Sequence, residues 1–495
     1  MKFRLPSSTQ NWISLVGITI AAISFFMAVF LFTISQLLLA KGNYLGLVTY
    51  IILPMIMIVG LLFIPIGMVV KRKKMQQTGE TPEGWPRIDL NDSRYRNAFF
   101  IFVIGSTILL FASAIGSYEA FHFTESVEFC GELCHSVMEP EHVAYQYSSH
   151  AKVACVDCHV GSGVDWYARS KLSGLHQVVA VLSNSYQKPI STPIANLRPA
   201  RETCEECHWP QKFYANSLRL ERHYLTDEEN TEWDIHLQMK TSSGISANGL
   251  STGIHWHINP DVQIDYFPGE DPNETIPWVK YINKKTGEEH IYTAGDEPDA
   301  LDDKLIRTMD CMDCHNRPSH IYKSPDEIIN HAMALGEIDR NIPEIRQIAS
   351  EALIQDYSTN KNALDSIKLY INNYYQENYP DDYDNLKEKT SASIISLQRG
   401  YSRNFFPEMK VRWDVYPDHI GHKTFPGCMR CHDGKHIDQN GRPLSHECNV
   451  CHTVLAQGQG ESLGQLSYQG VEFKHPEDID EEWKTTICSE CHNGE

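Results

Sequence analysis

The sequence predicts a membrane-anchored protein in which three N-terminal transmembrane helices precede a large domain organised around repeated cysteine motifs. Long uncharged stretches near the N-terminus predict the helices, and all fourteen cysteines fall into seven motifs that each end in histidine. A small β-rich insertion and a helical segment lie between two groups of motifs. Little regular structure is expected around the motifs themselves.

No charged residue lies between Arg4 and Lys41 or between Lys41 and Lys71, and a third uncharged stretch follows at 97–118. A helix needs about 20 apolar residues to cross a bilayer, and buried helices of soluble domains seldom run so far without a charge. We therefore predict a membrane domain over residues 1–119, with spans at about 12–39, 44–70 and 97–118.

Basic residues are concentrated on one side of these spans. The run KRKK at 71–74 follows the second span, and Arg87, Arg94 and Arg96 precede the third, whereas the first loop offers only Lys41. The positive-inside rule then places the N-terminus and the loop 71–96 in the cytoplasm. The predicted protein is a multi-pass protein of the cytoplasmic (inner) membrane, with everything after the third span in the periplasm.

Six motifs have the form Cys-x-x-Cys-His, and the first, CGELCH, is one residue longer. In c-type cytochromes two cysteines attach the porphyrin edge and the adjacent histidine binds the iron. We therefore predict a haem-packed multihaem cytochrome c domain with seven covalent haem c groups. The attaching cysteines are Cys130, Cys134, Cys155, Cys158, Cys204, Cys207, Cys311, Cys314, Cys428, Cys431, Cys448, Cys451, Cys488 and Cys491, and the motif ligands are His135, His159, His208, His315, His432, His452 and His492.

Two other uses of cysteine are less consistent with the pattern. Structural zinc pairs Cys-x-x-Cys units without requiring histidine directly after the second cysteine. Disulfides suit an even number of cysteines in an oxidising compartment but give no reason for the histidines.

Composition divides the periplasmic part into five regions. The prediction is a domain with haems 1–3 at 120–212, a β-rich insertion at 213–309, haem 4 at 310–323, a helical spacer at 324–410 and a cluster with haems 5–7 at 411–495. Alternating apolar and polar residues between turn signals indicate the strands. In the spacer, Ser324-Pro325-Asp326-Glu327 has the form of a capping box with proline at the first helical position.

Sixteen histidines remain outside the motifs, which favours a second histidine ligand on most irons and hence electron transfer. Met138, three residues after His135, is a candidate thioether ligand of the first haem, or a side chain packed on its porphyrin. The other candidates for second axial ligands are His150, His223, His255, His257, His320, His419, His422, His436 and His446.

A stretch of acid, bases and aromatics follows the second motif. A quinol that gives up electrons needs hydrogen-bond partners and a proton acceptor, for which Lys171, Arg169 and Asp165 are candidates. The alternative is anchoring at the membrane surface, with Trp166 and Tyr167 in the headgroup layer.

The segments FCGELCHSVMEPE, CVDCHVGSG, WYARSKLSG and ETCEECHWP resemble the NapC/NirT family of membrane-anchored multihaem quinol dehydrogenases. With CHNRPSH, CMRCHDGKH and CNVCH, the likeness extends to the seven-haem, three-span inner-membrane cytochromes of metal-reducing bacteria. The resemblance implies oxidation of menaquinol or ubiquinol near the first haem, with Lys171 in the position of a basic residue near the quinone. The chain departs from the family in its CGELCH spacing and in Met138, which lies one place later than usual.

The preferred hypothesis is a quinol:cytochrome c oxidoreductase that connects the membrane quinone pool with periplasmic multihaem c-type cytochromes, in anaerobic or extracellular respiration. The alternatives are a terminal reductase of a small oxyanion such as nitrite, and an electron-relay anchor subunit of a larger respiratory complex. The net charge of −20 argues against nucleic acid as a partner and suggests basic patches on protein partners, or serves solubility alone.

Overall fold

The computed structural model divides the chain into two compact units, one of Met1–Ser126 with Ser162–Tyr167 and one of Val127–Gly161 with Ala168–Glu495. The structure describes residues 9–37, 52–79, 122–132, 135–161, 164–192, 199–209, 215–242, 253–271, 273–295, 302, 304–463 and 466–494, together with scattered positions between 90 and 119.

The first unit contains two helices, Trp12–Leu37 and Leu53–Thr78, that are long and apolar enough to cross a membrane. The second helix extends past the predicted end at residue 70 and includes the basic run. The third predicted span, 97–118, lies largely outside the described residues, as do residues 38–51.

Small residues let the two helices approach closely. A Cβ added to Gly17 would lie 2.5 Å from the Gly60 carbonyl oxygen, and one added to Gly67 would lie 2.5 Å from Ser14 Oγ. The Ser14 hydroxyl also donates to the Ile64 carbonyl at 3.0 Å. Close backbone approach with a buried hydroxyl contact is typical of helix pairs in membranes, where van der Waals packing replaces the hydrophobic effect.

The second unit begins with short helices around the first three motifs. They are Val127–Gly131, His135–Gln146, Cys155–His159, the part of Val164–Leu182 from Ala168 onward, and Ala200–Cys204. Among the described residues from 146 to 209, Ala200 is the one apolar side chain that is buried. This region therefore lacks an apolar core made of its own side chains.

Eight strands form two antiparallel sheets. Strands β1 (Ser217–Tyr224), β2 (Glu232–Met239) and β8 (His452–Gly458) make the smaller sheet in the order β1-β2-β8. The larger sheet has the order β6-β3-β4-β5-β7, and its strands are β3 (Val262–Phe267), β4 (Trp278–Asn283), β5 (Glu289–Ala294), β6 (Arg307–Thr308) and β7 (His436–Asp438).

Strands β1 to β6 lie in the segment where the sequence predicts strands, but β7 and β8 come from the C-terminal motif cluster. His452, the last residue of the sixth motif, pairs with Met239 at the start of the β2–β8 ladder. The sheets therefore tie the segment before the fourth motif to the segment that carries the fifth and sixth.

Four helices follow the fourth motif, at Pro325–Ala334, Ile345–Ile354, Asn360–Asn378 and Tyr383–Asn404. The predicted capping box is confirmed, because the Glu327 amide donates to Ser324 Oγ and the Ser324 amide donates to the Glu327 carboxylate. Gly336 follows that helix with a φ of +72°, as a residue that ends a helix often has.

These helices enclose the main apolar core of the second unit. Ile329, Ile345, Leu353, Ile367 and Leu397 are buried completely, and Tyr375 fills the space between them while its hydroxyl donates to the Pro343 carbonyl. This segment is therefore a folded core of its own, and is more than a spacer.

Asn230 connects the smaller sheet to this core. It is fully buried, its amide donates to the Arg340 and Ile342 carbonyls at 3.0 and 2.8 Å, and its oxygen accepts from the Arg346 amide at 2.8 Å. Its φ of +49° is one that asparagine tolerates better than most residues.

We expect Asn230→Ala to destabilise the second unit by roughly 3 kcal/mol, because it leaves buried backbone groups unpaired. The measurement is the midpoint of denaturant unfolding, followed by circular dichroism on the full protein in detergent. Asn341→Ala is the control, since that exposed side chain bonds only to Asp339 among the hydrogen bonds described. An equal midpoint in the two variants would show that the hydrogen bonds of Asn230 do not stabilise the second unit.

Candidate haem sites

Each described motif folds as one tight turn. The segments Cys155–His159, Cys311–Cys314 and Cys488–Cys491 are helical, and Gly427–Arg430 and Cys448–Val450 are 3-10 turns. Residues three and four apart lie on one side of a helical turn. The two cysteines and the histidine of a motif are thus presented together, as attachment to one porphyrin requires.

A backbone hydrogen bond fixes the histidine in this turn. The amide of His315 donates to the Cys311 carbonyl at 2.7 Å, and His208 and His492 make the same bond within their motifs at 2.8 Å. In the fourth motif the Met312 amide also donates to the Asp310 carboxylate, which caps the turn.

Six motif histidines each face a second histidine from a distant part of the chain. The ring centroids lie between 5.9 and 6.2 Å apart. The pairs, with the motif residue first, are His159 with His320, His208 with His150, His315 with His255, His432 with His257, His452 with His422, and His492 with His475.

This separation fits two imidazole rings that bind one metal ion from opposite sides. An imidazole nitrogen binds a transition metal at about 2 Å and the ring centroid lies about 1 Å further back, so trans imidazoles have centroids about 6 Å apart. Two imidazoles on a tetrahedral metal would have centroids only about 5 Å apart. Nor do three or more histidine, cysteine or acidic side chains converge on one point anywhere in the described part of the chain.

Hydrogen bonds orient the paired rings. His257 Nδ1 donates to the Ile254 carbonyl at 2.8 Å and His432 Nδ1 to the Ser445 carbonyl at 2.7 Å, whereas His475 Nδ1 lies 3.0 Å from the Glu477 carbonyl and accepts from the Glu477 amide at 3.2 Å. His255 and His150 make similar bonds to the carbonyls of Thr241 and Pro318. A proton held on Nδ1 leaves the lone pair on Nε2, which is the atom that binds a metal.

The second ligand at the second motif is oriented by a carboxylate. His320 Nδ1 lies 3.0 Å from Glu141 Oε2, and Arg317 Nη2 lies 3.2 Å from Glu141 Oε1. Burial would raise the pKa of Glu141, but the hydrogen bond from His320 and the charges of Arg317 and His320 outweigh it and lower the pKa to about 2. Glu141 is therefore an anion beside this ring.

One 3-10 turn, Ile254–Ile258, carries two of the facing histidines, His255 and His257. The end of β2 positions this turn, because the Ile254 amide donates to the Lys240 carbonyl at 2.7 Å. A Cβ at Gly253 would lie 2.5 Å from the Ser242 carbonyl oxygen, so glycine is required for this approach.

Two of the predicted ligands have other partners on both ring nitrogens. His419 Nδ1 donates to the Asp313 carbonyl at 3.0 Å, and its Nε2 lies 3.1 Å from the Asn273 side chain. Burial and then the charge of Arg430 lower the pKa of His419 to about 4, so it is neutral.

His436 is completely buried. Its Nδ1 lies 2.8 Å from Asp433 Oδ1 and its Nε2 lies 2.5 Å from the Ile276 carbonyl oxygen. Both partners are acceptors, so both nitrogens donate and the ring has no lone pair to offer. His419 and His436 therefore stabilise the fold in this structure.

The remaining predicted ligands belong to none of the six pairs. His223 is on β1, with Nδ1 3.4 Å from Asn330 Nδ2 and from Lys423 Nζ. His446 is exposed and lies against Gly434. Met138 is half-buried on the helix His135–Gln146, but the side chain of His135 and all of Cys134 lie outside the described residues.

His475 is not among the second ligands that the sequence predicts, yet its ring centroid lies 5.9 Å from that of His492. One signal in the sequence pointed to it, since it is the only histidine between the last two motif histidines. Its immediate neighbours, Lys474 and Pro476, gave no further indication.

The three quinol-site candidates all lie on the helix Val164–Leu182. Asp165 and Arg169 are four residues apart and share a face, whereas Lys171 is displaced by roughly 140° around the helix axis from the midpoint of the other two. Arg169 is exposed; the side chains of Asp165 and Lys171 lie outside the described residues.

Comparison with known proteins places this arrangement in a family. The profile of the NapC/NirT cytochrome c family, N-terminal region, matches residues 92–191. The cytochrome c-type protein ImcH of Geobacter sulfurreducens is 41% identical over 488 residues, which cover 97% of this chain and 95% of the relative. The cytochrome c-type protein NrfH of Wolinella succinogenes is 29% identical over 117 residues, or 22% of this chain and 66% of the relative.

No solved structure matches the chain. The family profile covers the region of the first two motifs, and the longer relative covers almost the whole chain, including the C-terminal motif cluster. The chain therefore belongs to the NapC/NirT family of membrane-anchored cytochromes c, electron-transfer proteins with covalently bound haem c.

Proposed function

We propose that the chain is a membrane-bound quinol dehydrogenase that passes electrons from the (mena)quinol pool through seven c-type haems to periplasmic cytochromes, in anaerobic or extracellular respiration. The observation that carries the proposal is the set of six opposed histidine pairs, each with one histidine from a Cys-x-x-Cys-His motif.

In this proposal the two histidines of each pair are the axial ligands of one haem. Haem c supplies an iron that takes up and releases one electron at a time without making or breaking bonds. The scarcity of buried apolar side chains among the described residues of 146–209 supports the same assignment, because the porphyrins would fill the space that side chains leave open.

Two axial histidines leave no position for a substrate on the iron, so the six pairs favour electron transfer over reduction of a small oxyanion. The first site, with Met138 as the candidate second ligand, stays a prediction from sequence. The net negative charge of the chain supports partners with basic surfaces, in keeping with periplasmic multihaem cytochromes.

Quinol oxidation releases two electrons and two protons, and two haem sites would accept one electron each. Lys171 is our candidate proton acceptor, and Asp165 and Arg169 are candidates for positioning the headgroup. The two apolar helices of the first unit support a location in the inner membrane, where the quinone pool resides. We propose that the N-terminus is cytoplasmic and that the haem unit is periplasmic.

We expect His422→Ala to convert one of seven haems to a high-spin form, because it removes the ring that faces His452 at 6.1 Å. His419→Ala, three residues away, is the matched control and should leave all haems low-spin, since both of its nitrogens have protein partners. Electron paramagnetic resonance of the oxidised protein distinguishes the two forms. High-spin haem in the His419 variant would contradict the pairing.

Replacing Glu141 with Gln should raise the reduction potential of the second haem. The anionic carboxylate strengthens His320 as a donor and stabilises the ferric iron, and a neutral amide does so less. Spectroelectrochemical titration gives the potential. Glu139→Gln on the same helix, at an exposed position, should leave every potential unchanged.

Lys171→Ala should slow reduction of the haems by a menaquinol analogue at least tenfold, as loss of a proton acceptor does, while dithionite still reduces all seven. Stopped-flow absorbance of the haem α-band follows both reactions in lipid nanodiscs. Gln177→Ala, exposed on the same helix, is the control. A slow reaction in Arg169→Ala but not in Lys171→Ala would indicate that the quinol binds at the helix face that carries Arg169. No reaction of the parent with quinol would support the relay-anchor alternative.

A further inference from the structure

Cysteines of consecutive motifs touch one another. The Cys155 side chain of the second motif lies beside Cys130 of the first. The Cys204 side chain of the third motif lies beside Cys311 of the fourth. Because both sulfurs of a motif sit on one edge of a porphyrin, contact between cysteines of two motifs brings two porphyrin edges together.

The second and third motifs are joined in the same way. The helix Cys155–His159 packs against the helix Ala200–Cys204, and Cys158 lies near Cys207. His150, which faces the third motif's His208, lies five residues before Cys155. The helix Ala200–Cys204 also packs against Cys311–Cys314, the turn of the fourth motif.

The fourth and fifth motifs share two connections. Arg430, inside the fifth motif, donates through Nη2 to the carbonyl of Asp313, inside the fourth, at 2.9 Å. Their facing histidines, His255 and His257, are two residues apart on one 3-10 turn. Two irons bound by neighbouring residues of one turn are necessarily adjacent.

The last three motifs continue the series. Cys451 of the sixth motif lies near Cys428 of the fifth, and Cys448 of the sixth lies near Cys488 of the seventh. His422, which faces the sixth motif's His452, lies six residues before Cys428. Each of these links joins motifs that are consecutive in the sequence.

We propose that the seven haem sites follow one another in chain order, so that the site of His492 and His475 is the terminal one, from which electrons leave the protein. This inference rests on the proposed function for the direction of flow, but the order of the sites stands on the contacts between motifs alone. His320, which faces the second motif's His159, follows the fourth motif's His315 by five residues, so the second site also lies beside the fourth, and every route to the last site passes through the fourth and the fifth.

The test places an electron trap at a chosen site. Exchanging an axial histidine for methionine raises the reduction potential of that haem. An electron held there moves on only slowly, so the haems beyond the trap fill late. In His255→Met, reduction by a menaquinol analogue should fill four haems in the fast phase and three at least tenfold more slowly. His257→Met should give five and two.

His475→Met is the matched control at the terminal site, where a trap blocks nothing and all seven haems should fill in the fast phase. Stopped-flow amplitudes of the α-band count the haems, with dithionite as the endpoint for complete reduction. Rapid reduction of all seven haems in both His255→Met and His257→Met would overturn the proposed order of the sites.

A second readout does not depend on quinol. The redox potential is poised with chemical mediators so that only the methionine-ligated haem is reduced and therefore diamagnetic, and electron paramagnetic resonance then detects which other haems lose a magnetic neighbour. We expect three altered signals for His255→Met, from the second, third and fifth sites, and one for His475→Met. Two or more for His475→Met would show that its site is not the terminal one. If the parent were not reduced by quinol, the proposed function would fail, and this readout would still decide the order.

Discussion

The opposition of two imidazole rings about 6 Å apart is the constraint around which the second unit is organised. One ring of each pair is held in its motif by a local turn, but the other comes from elsewhere in the chain, and it must arrive with the correct tautomer and angle. The sheets, the 3-10 turn and the half-buried Glu141 position these rings. Regular structure in this unit thus positions the facing histidines as much as it encloses a core.

The distribution of apolar packing follows from the same constraint. The helices after residue 324 enclose isoleucines, leucines and Tyr375 in a conventional core, whereas the described residues around the second and third motifs bury almost no apolar side chain. The helical segment is thus stabilised by its own apolar side chains. In the region of the second and third motifs, the proposed haems would form the interior. Asn230 joins the smaller sheet to the helical segment through three hydrogen bonds.

The sequence predicts those elements of the fold that depend on local interactions between residues near one another in the chain. The capping box at Ser324 and the strands between 217 and 308 follow from alternation and turn residues, whereas the helical turns of the motifs go beyond the little regular structure that we expected there. The choice of facing histidines was only partly predictable. His419 and His422 have nearly the same sequence context, and what separates them is that Asp313 and Asn273 engage one ring while the other faces His452. Such distinctions depend on tertiary contacts between distant segments, which periodicity does not encode.

The exchange of ligands between distant segments also constrains how the protein is made. His159 is synthesised long before His320, which faces it in the folded chain. His150 and His208, which face each other, lie on either side of the second motif in the sequence. If His159 and His320 hold one haem as proposed, a haem attached to the second motif would remain without its opposite ligand until the chain beyond the fourth motif had been made. Maturation of the early sites would then depend on synthesis of the late ones.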